Sequence, residues 1–179
     1  MSRKSYERVL RTLIRKGAII DYYVDHMKLE NGMEEDFDFI DHKGAAAVVA
    51  ELPDGRILMV RQYRNALDRE TLELPAGGRT SREEPTDLTA MRELEEETGY
   101  HCEKVEKLIS FRSTVAFCNE LIDVYAAQNL TGGKQHLDPD EFLNVEAHEL
   151  DELIGMIYDG TIEDGKTIAG LLAYARKYR

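Results

Sequence analysis

Apolar and polar positions change rhythm several times along the chain, and the changes mark its elements. Between Ala18 and Leu29 the β-branched and aromatic residues cluster (Ile19, Ile20, Tyr22, Tyr23, Val24). Asn31-Gly32 is the favoured two-residue hairpin turn, and Phe37 and Ile40 continue on a return strand. A second hairpin follows, with Ala45–Ala50 a continuous apolar run, Asp54-Gly55 the turn and Ile57–Val60 the return. Leu72-Glu73-Leu74-Pro75-Ala76 reads as one short strand, with Glu73 facing opposite to the two leucines. Alternation returns over Val105–Arg112 and Leu121–Gln128, and Leu143–Ala147 adds a further strand. Helical spacing occurs three times: Leu88, Met91 and Leu94; Leu150, Leu153, Ile154 and Ile157; and Ile168, Leu171, Leu172 and Ala175. In residues 1–17, Val9, Leu10, Leu13 and Ile14 fit a helical stripe or, less regularly, a strand.

The helix over Pro85–Gly99 carries the chemistry. Proline is tolerated in a first turn, Ser81 and Glu84 have capping-box spacing just upstream, and glycine favours a left-handed stop. Glu93, Glu95, Glu96 and Glu97 crowd the last part of this helix. The carbonyl end of a helix disfavours negative charge by about 0.3–1 kcal/mol per group. Glu93 and Glu97 stand at i and i+4, which adds roughly 0.2–0.5 kcal/mol of repulsion. Arg92, paired with Glu96 at the same spacing, offsets only part of it. Such a local conflict marks a functional site. A divalent cation would resolve it, because hard cations take carboxylate oxygens.

Gly78, Glu84, Arg92-Glu93-Leu94, Glu96-Glu97 and Gly99-Tyr100 together resemble the signature of the Nudix hydrolases. Tyr100 is a loose fit, where a small aliphatic is more usual. The competing reading of these residues is a solvated acidic helix with a fortuitous pattern. The resemblance implies an α/β fold, a Nudix α/β/α sandwich with a mixed sheet, preceded by an antiparallel strand region. Residues 1–42 would form that N-terminal strand and dimerisation region, and residues 43–179 the hydrolase domain. The N-terminal region, Arg61-Gln62-Tyr63-Arg64, the run from Glu73 to Gly77 and the run from Lys166 to Gly170 are similar to the ADP-ribose pyrophosphatase branch. That branch commonly exchanges its N-terminal strands between two subunits, so a homodimer is implied.

Composition narrows the partners. A chain of 179 residues with 42% hydrophobic content suits one globular unit with a real core. Its net charge of −12 makes it a poor partner for nucleic acid or an anionic membrane. No apolar run is long enough to span a bilayer and no secretory leader is evident. Cys102 and Cys118 lack the spacing of a zinc or redox motif and read as free thiols, which points to the cytoplasm. The five histidines show no zinc-like spacing. The basic segment from Arg3 to Lys16 reads as a solvated cationic face or as a docking arm for an acidic partner, such as a second subunit.

Candidate site residues follow. Arg61 and Arg64, at a strand end beside the acidic loop, suit phosphate, with surface ion pairs the alternative. Tyr22, Tyr23 and Phe39 offer flat rings for stacking a nucleobase or for core packing. Glu73 points toward the helix carboxylates or to the surface. The Nudix resemblance implies that Glu93 and Glu97 ligate Mg²⁺, for which Mn²⁺ can substitute. It implies Glu96 as a direct or water-mediated ligand and the carbonyl of Ala76 as a further one. Arg92 would orient the carboxylates, Arg64 would contact phosphate, Glu73 would join the cluster, and Glu84 would support the helix start. Gly77 and Gly78 would let the backbone approach metal and phosphates closely. Asp140 and Glu141, in the long loop from Asn129 to Phe142, are candidates for the general base.

The implied reaction is Mg²⁺-dependent hydrolysis of a nucleoside diphosphate linked to another group, with ADP-ribose giving AMP and ribose 5-phosphate. One departure bears on the substrate: Val115 and Ala116 stand where ADP-ribose hydrolases of this family carry Pro-Gly, while Phe117 and Glu120 fit. The alternatives are another nucleotide sugar, a dinucleotide polyphosphate or an oxidised nucleotide as substrate, or a nucleotide-sensing module that binds without cleaving.

Overall fold

A computed structural model describes residues 6–137 and 142–179. Three strands open the chain: β1 (Tyr6–Lys16), β2 (Asp21–Leu29) and β3 (Glu34–Asp41). They form their own antiparallel sheet with β2 in the middle. β1 is a strand, not a helix, and the irregular apolar spacing has a cause. Its register with β2 shifts between Arg8 and Leu10 and again between Leu13 and Arg15. Each shift inserts one residue, which breaks the strict alternation a strand would otherwise show. The β2–β3 turn is longer than the two-residue form Asn31-Gly32 suggests. The Gly32 N–H donates to the Leu29 carbonyl and the Leu29 N–H to the Met33 carbonyl, closing a three-residue loop.

The second sheet contains β4 (Ala45–Glu51), β5 (Ile57–Arg64), β6 (Arg69–Glu73), β7 (Ala76–Gly78), β9 (Glu106–Arg112), β10 (Leu121–Ala127) and β12 (Leu143–His148). It runs β12-β5-β4-β10-β9, with β6 paired to β5 and β7 to β4, and β4 is parallel to β10. Short strands β8 (Tyr100–His101) and β11 (Thr131–Gly132) pair separately. Helix α1 (Thr86–Thr98) covers one face, and α2 (Leu150–Tyr158) and α3 (Gly165–Tyr178) cover the other. β4 is buried on both sides, which is why it reads as an unbroken apolar run. Ala46, Val48 and Ala50 pack with Ala90 and Leu94 of α1, while Ala47 and Val49 pack with Leu171 and Tyr174 of α3 and Leu153 of α2. The architecture is the mixed sheet between helices, with a separate antiparallel strand region in front.

β4 and β5 form a hairpin only near the turn, at Ala50–Leu58 and Glu51–Ile57. Beyond that they part. β5 takes Glu73 opposite Val60, β4 takes Ala76 opposite Ala47, and Leu74-Pro75 crosses the gap. The expected single strand over Leu72–Ala76 is therefore two strands in the same sheet. This split sets the place of the site.

Both major helices turn differently from their leucine spacing. Leu88 is 51% exposed and Met91 half-buried, while α1 buries Thr89, Ala90, Glu93, Leu94, Glu97 and Thr98. In α3 it is Tyr174, not Leu172, that joins Leu171 inside. The Ser81–Glu84 pair does not cap α1. Pro85 stands at the N-cap without a side-chain bond, and the Glu84 carboxylate accepts from the Thr80 N–H and hydroxyl at 2.5 and 3.0 Å. The helix start is instead fastened by the Thr86 hydroxyl, 2.6 Å from Asp123 Oδ2 and 2.7 Å from the Tyr125 hydroxyl. Gly99 ends α1 in the left-handed conformation, at φ 74°. Among the described residues no helix is long and apolar enough to cross a membrane.

Candidate active site

The last turns of α1 run beneath β7. The Ala76 N–H donates to Glu97 Oε2 at 2.9 Å, and Glu97 is only 2% exposed. At Gly77 a Cβ would lie 2.1 Å from the carboxyl carbon of Glu93, so only glycine lets the backbone rest against that carboxylate. Arg92 Nη1 lies 2.7 Å from Glu93 Oε1 and 2.8 Å from Glu96 Oε2, and Nη2 donates to the Gly78 carbonyl at 3.0 Å. Its Nε is 3.5 Å from Glu84 Oε1. Burial works against the charge on Arg92, but Glu93 and Glu96 outweigh it and raise its pKa. For Glu84 burial acts upward, and the Thr80 hydrogen bonds with Arg92 reverse it to a lowered pKa.

Against the β7 backbone lies a cavity of about 420 Å³, lined by Ala76, Gly77 and Gly78, by Arg64, Lys166 and His42, and by the acids Glu120 and Asp164. Its cationic rim is organised by Glu73, which is 2% exposed. Arg64 grips Glu73 with both arms of its guanidinium, Nε at 2.6 Å from Oε1 and Nη2 on Oε2. Lys166 Nζ also donates to Oε2, and the Thr71 hydroxyl to Oε1 at 2.6 Å. Burial alone would raise the Glu73 pKa, but the Arg64 and Lys166 contacts prevail and hold it at about 2. Lys166 is placed by the start of α3. Asp164 caps that helix through the Thr167 N–H at 3.0 Å and takes a bond from Lys166 Nζ at 2.9 Å.

Arg64, Glu73, Ala76, Gly77, Gly78, Arg92, Glu93, Glu96 and Glu97 are thus brought to one region. Glu73 serves Arg64 and Lys166, where its sequence position left it between the helix carboxylates and the surface. Arg61 faces the other way, gripping Glu146 on β12, with Nη2 at 3.1 Å from Oε2. Tyr23 stands on β2, its ring 6.1 Å from that of Phe39 and beneath the Arg11 guanidinium, and it does not line the cavity. Asp140 and Glu141 lie outside the described residues. Sequence reasoning assigned no role to Lys166 or Thr71. The signal for Lys166 was present in Asp164 followed by Thr167, a cap that puts Lys166 in the first turn of α3.

The donor set suits a hard divalent cation, since it offers only carboxylate and backbone oxygens, with glycine where the main chain meets them. Among the described residues no three acidic, histidine or cysteine side chains converge on one point as they stand. The positive charge between Glu93 and Glu96 is that of Arg92.

Comparison with known proteins agrees with this geometry. A family model described as the NUDIX domain matches residues 41–171. The chain is 37% identical over 172 residues to an ADP-ribose pyrophosphatase of Bacillus subtilis, covering 95% of this chain and 90% of that one. It is 39% identical over 165 residues to a methanol dehydrogenase activator of Bacillus methanolicus, covering 90% and 89%. A crystal structure of an ADP compounds hydrolase superposes with a TM-score of 0.85 over 98% of this chain and 95% of that one, at 15% identity, a likeness of fold. With the signature residues gathered under β7 and the family model matching most of its length, this chain belongs to the NUDIX family of hydrolases.

Proposed function

We propose that this chain hydrolyses the diphosphate of ADP-ribose to AMP and ribose 5-phosphate. The observation that carries the reading is one cavity that brings Arg64 and Lys166 together with the β7 backbone that the helix carboxylates support. Glu93 and Glu97 lie buried beneath Ala76 and Gly77, whose backbone lines the cavity of about 420 Å³ with Arg64 and Lys166. The near full-length likeness to a protein named ADP-ribose pyrophosphatase supports the choice of substrate.

Hydrolysis adds water across a P–O–P link. The attacked phosphorus gains the water oxygen, and the bridging oxygen leaves with the other phosphate. Arg64 binds the diphosphate and fixes its orientation. Glu93 and Glu97, with Glu96 and the Ala76 carbonyl, would hold the divalent ion. When bound, Mg²⁺, or Mn²⁺ in its place, neutralises charge on the non-bridging oxygens and makes water acidic enough to attack. Arg92 keeps Glu93 and Glu96 in place from the side. Asp140 or Glu141 takes the proton of the attacking water.

The N-terminal sheet supports a homodimer. Val9, Leu10, Leu13 and Ile14 on β1 are about half exposed, an apolar row that an isolated chain would leave in water. Residues 1–42 form the dimerisation region in this reading. The free Cys102 and Cys118 fit a reducing cytoplasm.

The test is product analysis with Mg²⁺ and separate pools of ADP-ribose, other nucleotide sugars, dinucleotide polyphosphates and nucleoside triphosphates. AMP released mainly from ADP-ribose supports the proposal. Preferential cleavage of another pool assigns Val115 and Ala116 a role in a different preference. Binding without cleavage of any pool would favour the sensing alternative.

A further inference from the structure

We infer that Lys166 is a positioning residue for the diphosphate, acting through Glu73 on the guanidinium of Arg64. The inference rests on Arg64 being the phosphate contact. Glu73 is the hub. Its Oε1 takes Arg64 Nε and the Thr71 hydroxyl, both at 2.6 Å, and its Oε2 takes Arg64 Nη2 and Lys166 Nζ. A carboxylate gripped by one arginine fork can still rotate about its own side-chain bonds and carry the fork with it. The two remaining bonds stop that rotation, because Lys166 and Thr71 approach different oxygens from different elements. Thr71 belongs to β6, as Glu73 does, so it fixes the carboxylate only within one strand. Lys166 belongs to α3 and is itself anchored by Asp164 at 2.9 Å. It therefore ties the sheet edge to the helix that forms the opposite wall of the cavity.

The charges point the same way. Lys166 is well covered, with its side chain 13% exposed, and its Nζ already serves Glu73 and Asp164. The Arg64 side chain is 39% exposed and lines the cavity. The more open cation meets the anionic substrate, and the more covered one holds the acid behind it. A guanidinium fixed in plane gives bidentate phosphate contact with little reorganisation on binding.

The experiment is a double-mutant cycle of Lys166→Met and Arg64→Ala, read as KM and kcat on whichever diphosphate the wild type cleaves, with Lys166→Arg and Thr71→Val alongside. Lys166→Met should raise KM about tenfold and change kcat by less than about threefold. Lys166→Arg should restore most of it, and Thr71→Val should raise KM by a smaller factor. In the Arg64→Ala background Lys166→Met should add nothing further, because there is no guanidinium left to position. An unchanged KM for Lys166→Met would overturn the inference while leaving Arg64 as the phosphate contact. Effects that multiply in the double variant would overturn it too, in favour of a direct substrate contact by Lys166. If Arg64→Ala itself leaves KM unaltered, the phosphate reading of Arg64 fails and the positioning role fails with it. Should Lys166→Met not fold, the same cycle with Lys166→Gln decides the matter, since it also removes the ammonium from Glu73.

Discussion

The carboxylate cluster forming a floor under β7 and the cation network at the rim of the cavity are built on different charge balances. At the floor one cation, Arg92, stands among three acids, Glu84, Glu93 and Glu96, with Glu97 close by under Ala76. At the rim two cations, Arg64 and Lys166, meet two acids, Glu73 and Asp164. Glu73, Glu93 and Glu97 are buried alike, while the Glu96 side chain is 41% exposed. What differs is how far the protein itself neutralises them. The rim is self-sufficient and can be formed before any ligand arrives. The floor sets three acids against Arg92 near the carbonyl end of a helix, which disfavours negative charge. In the proposed reading a divalent ion binds at the floor and the diphosphate at Arg64 on the rim.

The sharpest way to break this contrast is at the floor. Glu97→Gln removes one charge from the floor while keeping the shape and an acceptor for the Ala76 N–H. We expect kcat to fall at least about a hundredfold at saturating Mg²⁺, from lost charge stabilisation. Near-native turnover would remove Glu97 from the metal site. Gly77→Ala tests the same floor by geometry alone. The new methyl would overlap the Glu93 carboxylate, which must then move away from β7. A loss of about tenfold or more in kcat/KM is expected. Melting temperature measured on the same variant separates displacement from unfolding, and unchanged kinetics would mean that Glu93 works from elsewhere.

The rim should declare itself in acid. The Glu73 pKa is held at about 2, against an ordinary 4.5. Between those values the unfolded chain binds a proton that the folded chain does not, so stability rises with pH there. The contribution is complete above about pH 4.5 and is lost as pH falls toward 2. Arg64 is more than a third exposed, which screens the pair and leaves a net effect on the order of 1–2 kcal/mol. Glu73→Gln should lower stability at neutral pH by that amount and flatten this part of the curve. Denaturant unfolding at a series of pH values between 2 and 6 checks it, and an unchanged slope would show that the rim is not neutralised as described.

The floor was legible in the sequence and most of the rim was not, and charge balance explains why. Surplus acids at the wrong helix end violate a local rule, and a violated rule stands out. The acidic crowding of Glu93, Glu96 and Glu97 and the Arg92–Glu96 pair could be read from spacing, and the Nudix resemblance added Gly77 and Gly78. At the rim nothing is violated. Glu73 joins Lys166, which lies far along the chain, into a satisfied network whose one local sign is the Asp164–Thr167 cap. Arg61 shows the same limit. Strand alternation puts it on the opposite face from Arg64, where Glu146 of β12 meets it, and that partner comes from a strand not adjacent in sequence. The β4–β5 split was hidden because β6 and β7 look like one strand until their partners are known.

The smallest expected effect tests why the α1 face was misjudged. Leucine spacing placed Leu88, Met91 and Leu94 inward. The structure turns the helix so that Glu93 and Glu97 share the buried side with Ala90 and Leu94, and Leu88 is left in solvent. The rotation follows from the two ends. Thr86 is held by Asp123 and Tyr125 at the start, and Glu97 by the Ala76 N–H near the finish. Leu88→Gln should therefore change stability by no more than about 0.5 kcal/mol and leave turnover unaltered. Leu94→Ala, on the true inner face, should lose about 2–5 kcal/mol. Chemical denaturation of both variants makes the comparison. A loss above about 1 kcal/mol for Leu88→Gln, growing with protein concentration, would mean that a second copy covers this helix face. The dimer contact would then extend beyond the apolar row on β1.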